Sequence, residues 1–176
     1  KEFIDFENAK QHIKSKNTYP IVIKANGLAA GKGVTIAESE EQALSALKSC
    51  FLDNVFKEAG QKVIIESFLI GEEASIFAFT DGKTVLPMVP SQDHKAIFDG
   101  DKGPNTGGMG AYSPAPIVTP ELEEKVLNTV FKPLVEGFQK DNINFNGIIY
   151  AGLMIDGDTI NVVEFNARFG DPETQV

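Results

Sequence analysis

The chain has 176 residues, 42% of them hydrophobic and 9% aromatic, which is typical of a folded protein with one good core or two small lobes. Its formal charge is -9, from 25 acidic and 16 basic residues, and it contains no Lys/Arg block, so nucleic acid and anionic membranes are unexpected partners. The longest apolar runs fall well below the roughly 20 residues of a membrane helix and no signal segment opens the chain, so a cytoplasmic location is expected.

The only cysteine, Cys50, excludes an internal disulfide. It shares an apolar helical face with Ala43 and Leu47, which favours a packing role over a nucleophilic one. The chain begins at Lys1 instead of a methionine and stops at Val176 directly after a polar motif. We therefore expect a piece of a longer protein.

Residues 1–68 are predicted to form a small first lobe of strands and helices. The predicted elements are a helix capped by Asp5 and ending near Lys16, a strand over 19–25, a strand over 34–37, a helix from the Ser39 cap to about Leu52, and a strand over 62–68.

A second lobe is predicted after Gly71. It contains two hairpin signals, one around Asp81-Gly82 and one around Asp156-Gly157-Asp158. Between them, residues 91–116 are rich in Gly, Pro, Asp and Asn and are predicted to form a long polar loop. A long helix should then begin at Thr119-Pro120, bury Leu122, Val126, Val130, Leu134 and Phe138, and be kinked by Pro133.

The stretch IVIKANGLAAGKGVTIA has the composition of a phosphate-binding loop but not its spacing. Three residues separate Gly27 from Gly31, where a Walker A loop has four, and Gly33 follows Lys32, where Ser or Thr is required. A dinucleotide fingerprint would place its third glycine at a helix start, but that position falls in a predicted strand. The loop is therefore predicted to be a hairpin tip whose N–H groups cover phosphate oxygens, with an ordinary glycine-rich turn as the alternative.

Two further signals suit a nucleotide. Lys24 lies near the end of an apolar strand, where a partly buried ammonium favours an anionic partner such as phosphate. In IIESFLIGEE, an extended hinge suits a purine edge, and a carboxylate such as Glu66 or Glu73 accepts bonds from ribose hydroxyls. Acidic residues at strand ends are, however, also commonly just solvated.

The segment VVEFNARFGDPE predicts a metal site. If the strand persists to Arg168, alternation places Glu164, Asn166 and Arg168 on one face. Carboxylate and amide oxygens suit Mg²⁺, and an arginine stabilises charge on a transferring phosphoryl group. The alternative is an exposed Glu164–Arg168 salt bridge, which leaves Asn166 unexplained.

The predicted long loop contains Asn105-Thr106-Gly107-Gly108, a pliant backbone with donors that suits a small anionic or zwitterionic substrate; a plain surface loop is the alternative. The histidines, His12 and His94, lie far apart and have no companion ligands, so a zinc site or a catalytic triad has little support.

Together these segments resemble the ATP-grasp ligases, and among them the phosphoribosylamine-glycine ligase (glycinamide ribonucleotide synthetase) family. The matching segments are IVIKANGLAAGKGV, IESFLIGEEAS, LPMVPSQDHK, GPNTGGMGAYSPAP, YAGLM and VEFNARFGDPETQ, in order over nearly the whole chain. The resemblance implies an α+β ATP-grasp fold of two lobes, residues 1–68 and 69–176, each with a mainly antiparallel sheet and helices, with ATP between them.

The resemblance also implies roles for individual residues, with the loop at 26–34 as a flap over the triphosphate. The implied ATP-binding residues are Lys24, Gly31, Lys32, Gly33, Glu66, Phe68, Leu69 and Glu73. The implied ligands of Mg²⁺ or Mn²⁺ are Glu164 and Asn166. The implied substrate-binding residues are Asp93, Asn105, Thr106, Gly107, Arg168 and Asp171, and the implied catalytic residues are Arg168, Lys24 and Asp171.

The implied reaction joins glycine to 5-phosphoribosylamine through glycyl phosphate and needs no protein nucleophile. The chain departs from the family at Asn26, where aspartate is expected, and at Ala151-Gly152-Leu153, where many ATP-grasp enzymes carry a second metal carboxylate. The family's flanking domains are absent, so we expect ATP binding without full turnover. Another ATP-grasp carboxylate-amine ligase or carboxylase, and a non-catalytic nucleotide-binding module, remain alternatives.

Overall fold

The computed structural model describes residues 1–27, 33–100 and 102–176, leaving aside the side chains at 104 and 105. These residues form two compact units, Lys1–Phe68 and Leu69–Val176. The α-helices are α1 (Phe6–Lys16), α2 (Glu40–Phe51), α3 (Pro120–Val126) and α4 (Lys132–Lys140). The strands are β1 (Glu2–Phe3), β2 (Ile21–Ala25), β3 (Val34–Ala37), β4 (Val63–Ser67), β5 (Glu72–Thr80), β6 (Val85–Pro87), β7 (Gln92–Phe98), β8 (Lys102–Tyr112), β9 (Gly147–Asp156) and β10 (Thr159–Asn166).

The first unit is an antiparallel sheet of order β1-β4-β2-β3 whose core face packs with α1 and α2. Both helices begin at the predicted caps, because the Asp5 and Ser39 side chains accept hydrogen bonds from backbone N–H groups three residues on. Cys50 is buried in this core, which confirms the predicted packing role. Burial raises the pKa of its thiol and so keeps it protonated.

The second unit contains a sheet of order β10-β9-β5-β6, again with antiparallel neighbours. Both predicted hairpins are confirmed: β5 pairs with β6 across the Asp81 turn, and Thr159 lies opposite Asp156. One face of the sheet packs against the helical segment from Pro120 to Lys140. No helix in the described parts of the chain is long and apolar enough to cross a membrane.

The long predicted helix begins at its predicted cap, Thr119, but its middle is not α-helical. A π-helical turn over Leu127–Phe131 lies just before Pro133, which has no N–H to donate to the carbonyl four residues earlier. The wider turn rotates the buried stripe that follows it. Val135 is therefore buried, whereas Leu134 and Phe138, predicted to be buried, are only partly so.

The prediction of a long loop over residues 91–116 is wrong, because β7 and β8 pair there as a two-stranded antiparallel ribbon. A ribbon requires paired backbone groups but not alternating apolar side chains, so the hydrophobic pattern gave no sign of it. Ser75 and Ser91 exchange two backbone hydrogen bonds of 2.8 and 2.9 Å, which attach the start of the ribbon to β5.

Replacing Ile76 by alanine tests the core of the second unit. Ile76 is 0% exposed, so the Ile76→Ala cavity should lower the free energy of unfolding by about 2–5 kcal/mol in urea titrations followed by circular dichroism. The matched change Ile143→Ala, at a side chain 50% exposed, should cost less than about 1 kcal/mol. Equal losses in the two variants would contradict this packing.

Candidate functional site

In the first unit, Lys24 and Glu66 lie on neighbouring strands, on the sheet face opposite the core. Lys24 Nζ is 2.6 Å from Glu66 Oε2, and the two side chains are 26% and 40% exposed. Val34, directly opposite Lys24, and Ile36 are about half exposed on the same sheet. This face therefore combines a cation, a carboxylate and apolar surface, which suits a flat ring that carries charged groups.

Two predicted phosphate-binding residues of the glycine-rich loop, Gly31 and Lys32, lie outside the described residues. The ends of the loop are described: Ala25 N donates to the Gly33 carbonyl at 2.8 Å, so β2 and β3 are paired up to the loop. A Cβ at Gly27 would lie 2.7 Å from Ala59 Cα, so this position requires glycine unless the backbone shifts. The predicted adenine-hinge residues Phe68 and Leu69 are the last residue of the first unit and the first of the second.

In the second unit, one sheet face collects several predicted site residues. Directly opposite residues of antiparallel strands lie on the same face, and here that face is the one turned away from the helices. The opposite pairs that place polar residues on it are Glu73 with Met154, Ser75 with Gly152, Glu164 with Gly152, and Asn166 with Tyr150.

The two predicted metal ligands lie side by side on this face. Asn166 Nδ2 donates to Glu164 Oε1 at 3.0 Å, just after a register shift between Val162 and Glu164. Mg²⁺ commonly takes one or two protein oxygens together with phosphate oxygens and water, so this exposed carboxylate and partly buried amide fit it. Within the described parts of the chain, no group of three or more His, Cys, Asp or Glu side chains could hold a metal ion. The Glu164–Asn166 pair is a different arrangement, because only one of its two members is of these residue types.

The condition for placing Arg168 on the same face by alternation, a strand that persists to Arg168, is not met, because β10 ends at Asn166. The chain then crosses the sheet, where the Phe169 ring lies 5.8 Å from that of Phe77. Arg168 Nη1 donates to the Phe169 carbonyl at 2.7 Å, and Asp171 Oδ1 accepts from Gln175 Nε2 at 2.6 Å. Arg168 and Asp171 are both exposed.

Asp93 lies on β7 and is only 7% exposed. Neither of its carboxylate oxygens has a hydrogen-bond partner among the described residues. Burial raises the pKa of Asp93, and the charges of Glu173 and Glu73 add to the rise, whereas Lys95 and His94 oppose it. A buried carboxylate of this kind suits a ligand that donates N–H or O–H groups.

Lys95 was not predicted as a site residue, although Asp93 in the same segment was. Its Nζ lies 3.7 Å from Glu73 Oε2. Burial alone lowers the pKa of Lys95, but the nearby acidic groups, led by Glu73, outweigh burial and raise it overall. The site therefore contains a permanent cation at neutral pH.

The predicted substrate segment 105–107 lies on β8. The Asn105 backbone pairs with Ala96. Thr106 Oγ1 donates to the Lys95 carbonyl at 2.8 Å and accepts from Gly108 N at 3.1 Å, so this hydroxyl holds the ribbon together. Gly107 is exposed, and its backbone has open space beside it.

A buried polar cluster of Ser75, Tyr150 and Glu173 was also missed. Glu173 is 5% exposed, and its Oε1 accepts from Ser75 Oγ and Tyr150 OH, both at 3.2 Å. The two hydroxyl oxygens are 2.9 Å apart. Burial raises the pKa of Tyr150, opposed by the Ser75 hydrogen bond and by Lys95. Strand alternation could have indicated Ser75 and Tyr150, but no local signal links them to Glu173.

Comparison with known proteins defines the class. Residues 1–174 match the family described as "Phosphoribosylglycinamide synthetase, ATP-grasp (A) domain", so the fold is that of an ATP-grasp domain. The chain belongs to this phosphoribosylglycinamide synthetase family.

The names of similar proteins are consistent with this family. The chain is 52% identical over 170 residues to a phosphoribosylamine-glycine ligase from Agrobacterium fabrum and 54% identical over 174 residues to one from Vibrio vulnificus, covering 97% and 98% of this chain. It spans about 40% of the length of these relatives. A Thermotoga maritima phosphoribosylamine-glycine ligase structure superposes with a TM-score of 0.89 at 35% identity, covering 100% of this chain and 44% of that one.

Replacing Asp93 by asparagine should stabilise the protein at neutral pH. Because its folded-state pKa is raised, the wild type loses stability as pH rises above the ordinary value of 3.8. Asp93→Asn should therefore raise the free energy of unfolding by about 1–3 kcal/mol at neutral pH, and the gain should vanish below pH 3.8. Urea titrations at both pH values measure this.

The exposed Asp158 provides a matched control, since Asp158→Asn should change stability little at either pH. A destabilised Asp93→Asn protein at neutral pH would mean that the Asp93 carboxylate is stabilised by its surroundings instead of strained by them.

Proposed function

We propose that the full-length protein carrying this chain joins glycine to 5-phosphoribosylamine, using ATP and Mg²⁺ or Mn²⁺, to give glycinamide ribonucleotide, ADP and phosphate. The names of relatives at 52–54% identity support this reaction. The structural observation that carries the proposal is the 3.0 Å contact between Asn166 and Glu164, on the sheet face that also bears Glu73. Because this chain spans about 40% of those relatives, further domains of the same protein complete the substrate site.

In this proposal residues between Lys24 and Glu73 bind the nucleotide. Lys24, Gly31, Lys32 and Gly33 contact the phosphates, and Glu66, Phe68 and Leu69 contact the adenine, while Glu73 holds the ribose. The exposed apolar side chains beside the Lys24–Glu66 pair support this assignment. The pair costs little to open, because a partly exposed ion pair contributes only about 0–1 kcal/mol.

The chemistry is a two-step acyl transfer. A glycine carboxylate oxygen bonds to the γ-phosphorus of ATP, the bond to the bridging oxygen breaks, and ADP leaves with that electron pair. The amine nitrogen of 5-phosphoribosylamine then bonds to the carbonyl carbon of glycyl phosphate. The bond from that carbon to the phosphate oxygen breaks, phosphate leaves with the electron pair, and the nitrogen loses a proton. Neither step needs a protein nucleophile, so the residues act by positioning and charge.

Lys24 and Arg168 stabilise the negative charge of the phosphoryl group during its transfer, and Lys95 supplies further positive charge in the second unit. Glu164 and Asn166 would hold the metal ion, which neutralises phosphate charge when bound. On the substrate side, Asp93 accepts from an amine or hydroxyl, as its lack of a described partner supports. The substrate side is completed by Asp171, Asn105, Thr106 and Gly107. We further propose that the enzyme works in the cytoplasm.

Substrate dependence tests the reaction. In the full-length protein, ADP release from Mg-ATP should require glycine and 5-phosphoribosylamine together, measured by a coupled ADP assay, because the amine must trap the acyl phosphate. Rapid release that is indifferent to both substrates would contradict the proposal and favour another ATP-grasp ligase. Nucleotide binding without any turnover would favour a binding module.

Replacing Glu164 by alanine tests the metal role. Glu164→Ala should raise the Mg²⁺ concentration for half-maximal activity by about 10–100-fold, because one of two hard oxygen ligands is lost. The exposed Glu124, on α3, provides the matched control Glu124→Ala, which should leave that concentration unchanged. An unchanged Mg²⁺ requirement in Glu164→Ala would remove this residue from the metal site.

A further inference from the structure

We propose that Glu173 is a positioning residue for the substrate side of this site. Its buried carboxylate fastens the segment from Gly170 to Thr174 onto the sheet and so fixes Asp171 and the surroundings of Asp93. This inference rests on the proposed function, which assigns Asp93 and Asp171 to the substrates.

The anchoring contacts come from two strands. Ser75 lies on β5 and Tyr150 on β9, and their hydroxyls both approach Glu173 Oε1 at 3.2 Å. Because β5 and β9 are the two inner strands of the sheet, each hydroxyl that holds the carboxylate is on a strand paired on both sides. The chain segment that carries Glu173 is thereby attached to the sheet by side chains, after its own strand has ended.

The segment is shaped around this carboxylate. A Cβ added at Gly170 would overlap Glu173 Oε2, so the glycine backbone lies directly against it. Thr174 Oγ1 donates to the Gly170 carbonyl, which closes the segment into a tight turn around Glu173. A buried acidic side chain at its centre therefore sets where the neighbouring Asp171 and Pro172 lie.

The same segment borders Asp93. A Cβ at Gly108 would lie 2.8 Å from Pro172 Cδ and 2.9 Å from Asp93 Oδ1, so both groups pack against one glycine. Glu173 also acts on Asp93 through its charge, which adds to the raised pKa of that carboxyl. Loosening Glu173 should therefore displace the substrate-side groups, whereas Glu164 and Asn166 are held separately by strand pairing on β10.

The anchoring atom is an acceptor, which separates two variants. Glu173→Ala removes the acceptor, although the Ser75 and Tyr150 hydroxyls, 2.9 Å apart, can still bond to each other. Glu173→Gln has the same shape and keeps Oε1 as an acceptor for both hydroxyls, but it loses the charge. If anchoring is the role, the glutamine variant should retain it.

The test measures KM in the full-length protein. Glu173→Ala should raise KM for glycine and for 5-phosphoribosylamine by about 10–100-fold, because small displacements at a site are costly, with KM for Mg-ATP within about twofold of wild type. Glu173→Gln should stay within about threefold, and Glu124→Ala should match wild type. Unchanged substrate KM values, equal rises for all three ligands, or a glutamine variant as impaired as the alanine variant would each overturn the proposal.

If Glu173→Ala does not fold, the double variant Ser75→Ala/Tyr150→Phe removes both donors and keeps the Tyr150 ring, which lies 5.2 Å from that of Phe77. It should shift the substrate KM values in the same direction, and unchanged values would contradict the anchor.

Should the wild type itself lack substrate-dependent ADP release, the proposed function fails. Anchoring is then judged by amide hydrogen exchange over residues 170–175, which should quicken in Glu173→Ala but not in Glu173→Gln; equal exchange overturns it.

Discussion

The register of β5, β9 and β10 is the constraint on which the second unit depends. Ile76 and Leu153 must face the helices to form the core, and alternation then forces the intervening residues onto the other face. A slip of one residue would bury the polar set and expose the core. Gly152 makes this register workable: a Cβ there would already lie 3.3 Å from both the Tyr150 ring and Glu164 Cγ.

The polar face carries an energetic cost that the core must offset. Asp93 and Glu173 are both nearly inaccessible to solvent, and burial of a carboxylate opposes folding unless hydrogen bonds compensate it. Glu173 receives two hydroxyl donors, whereas Asp93 receives none from the described residues. Glu173 thus contributes to the structure, whereas Asp93 is retained at a cost in folding free energy that a hydrogen-bond-donating ligand would remove.

Features that depend on residues close together in the sequence were predicted well, whereas features that depend on contacts between distant residues were not. The caps at Asp5, Ser39 and Thr119 and both hairpins depend on residues three or four apart, so the sequence was enough for them. The β7–β8 ribbon depends on backbone pairing without an apolar pattern. In the site, alternation predicted the contact between Glu164 and Asn166, but it could not predict that β10 ends at Asn166 and that Phe169 packs on Phe77, 92 positions away in the chain.

The charged site residues differ in how strongly they interact with neighbouring groups. Lys24 and Lys95 each have a carboxylate neighbour, at 2.6 and 3.7 Å, in pairs that remain partly exposed. Such pairs contribute only about 0–1 kcal/mol, so phosphate oxygens can replace the carboxylates at little cost. Asp93 has no described partner to exchange and gains most from a donor. Weakly paired cations therefore favour an anionic ligand, whereas the buried acid favours an amine, which matches the two substrate types of an ATP-dependent amide ligation.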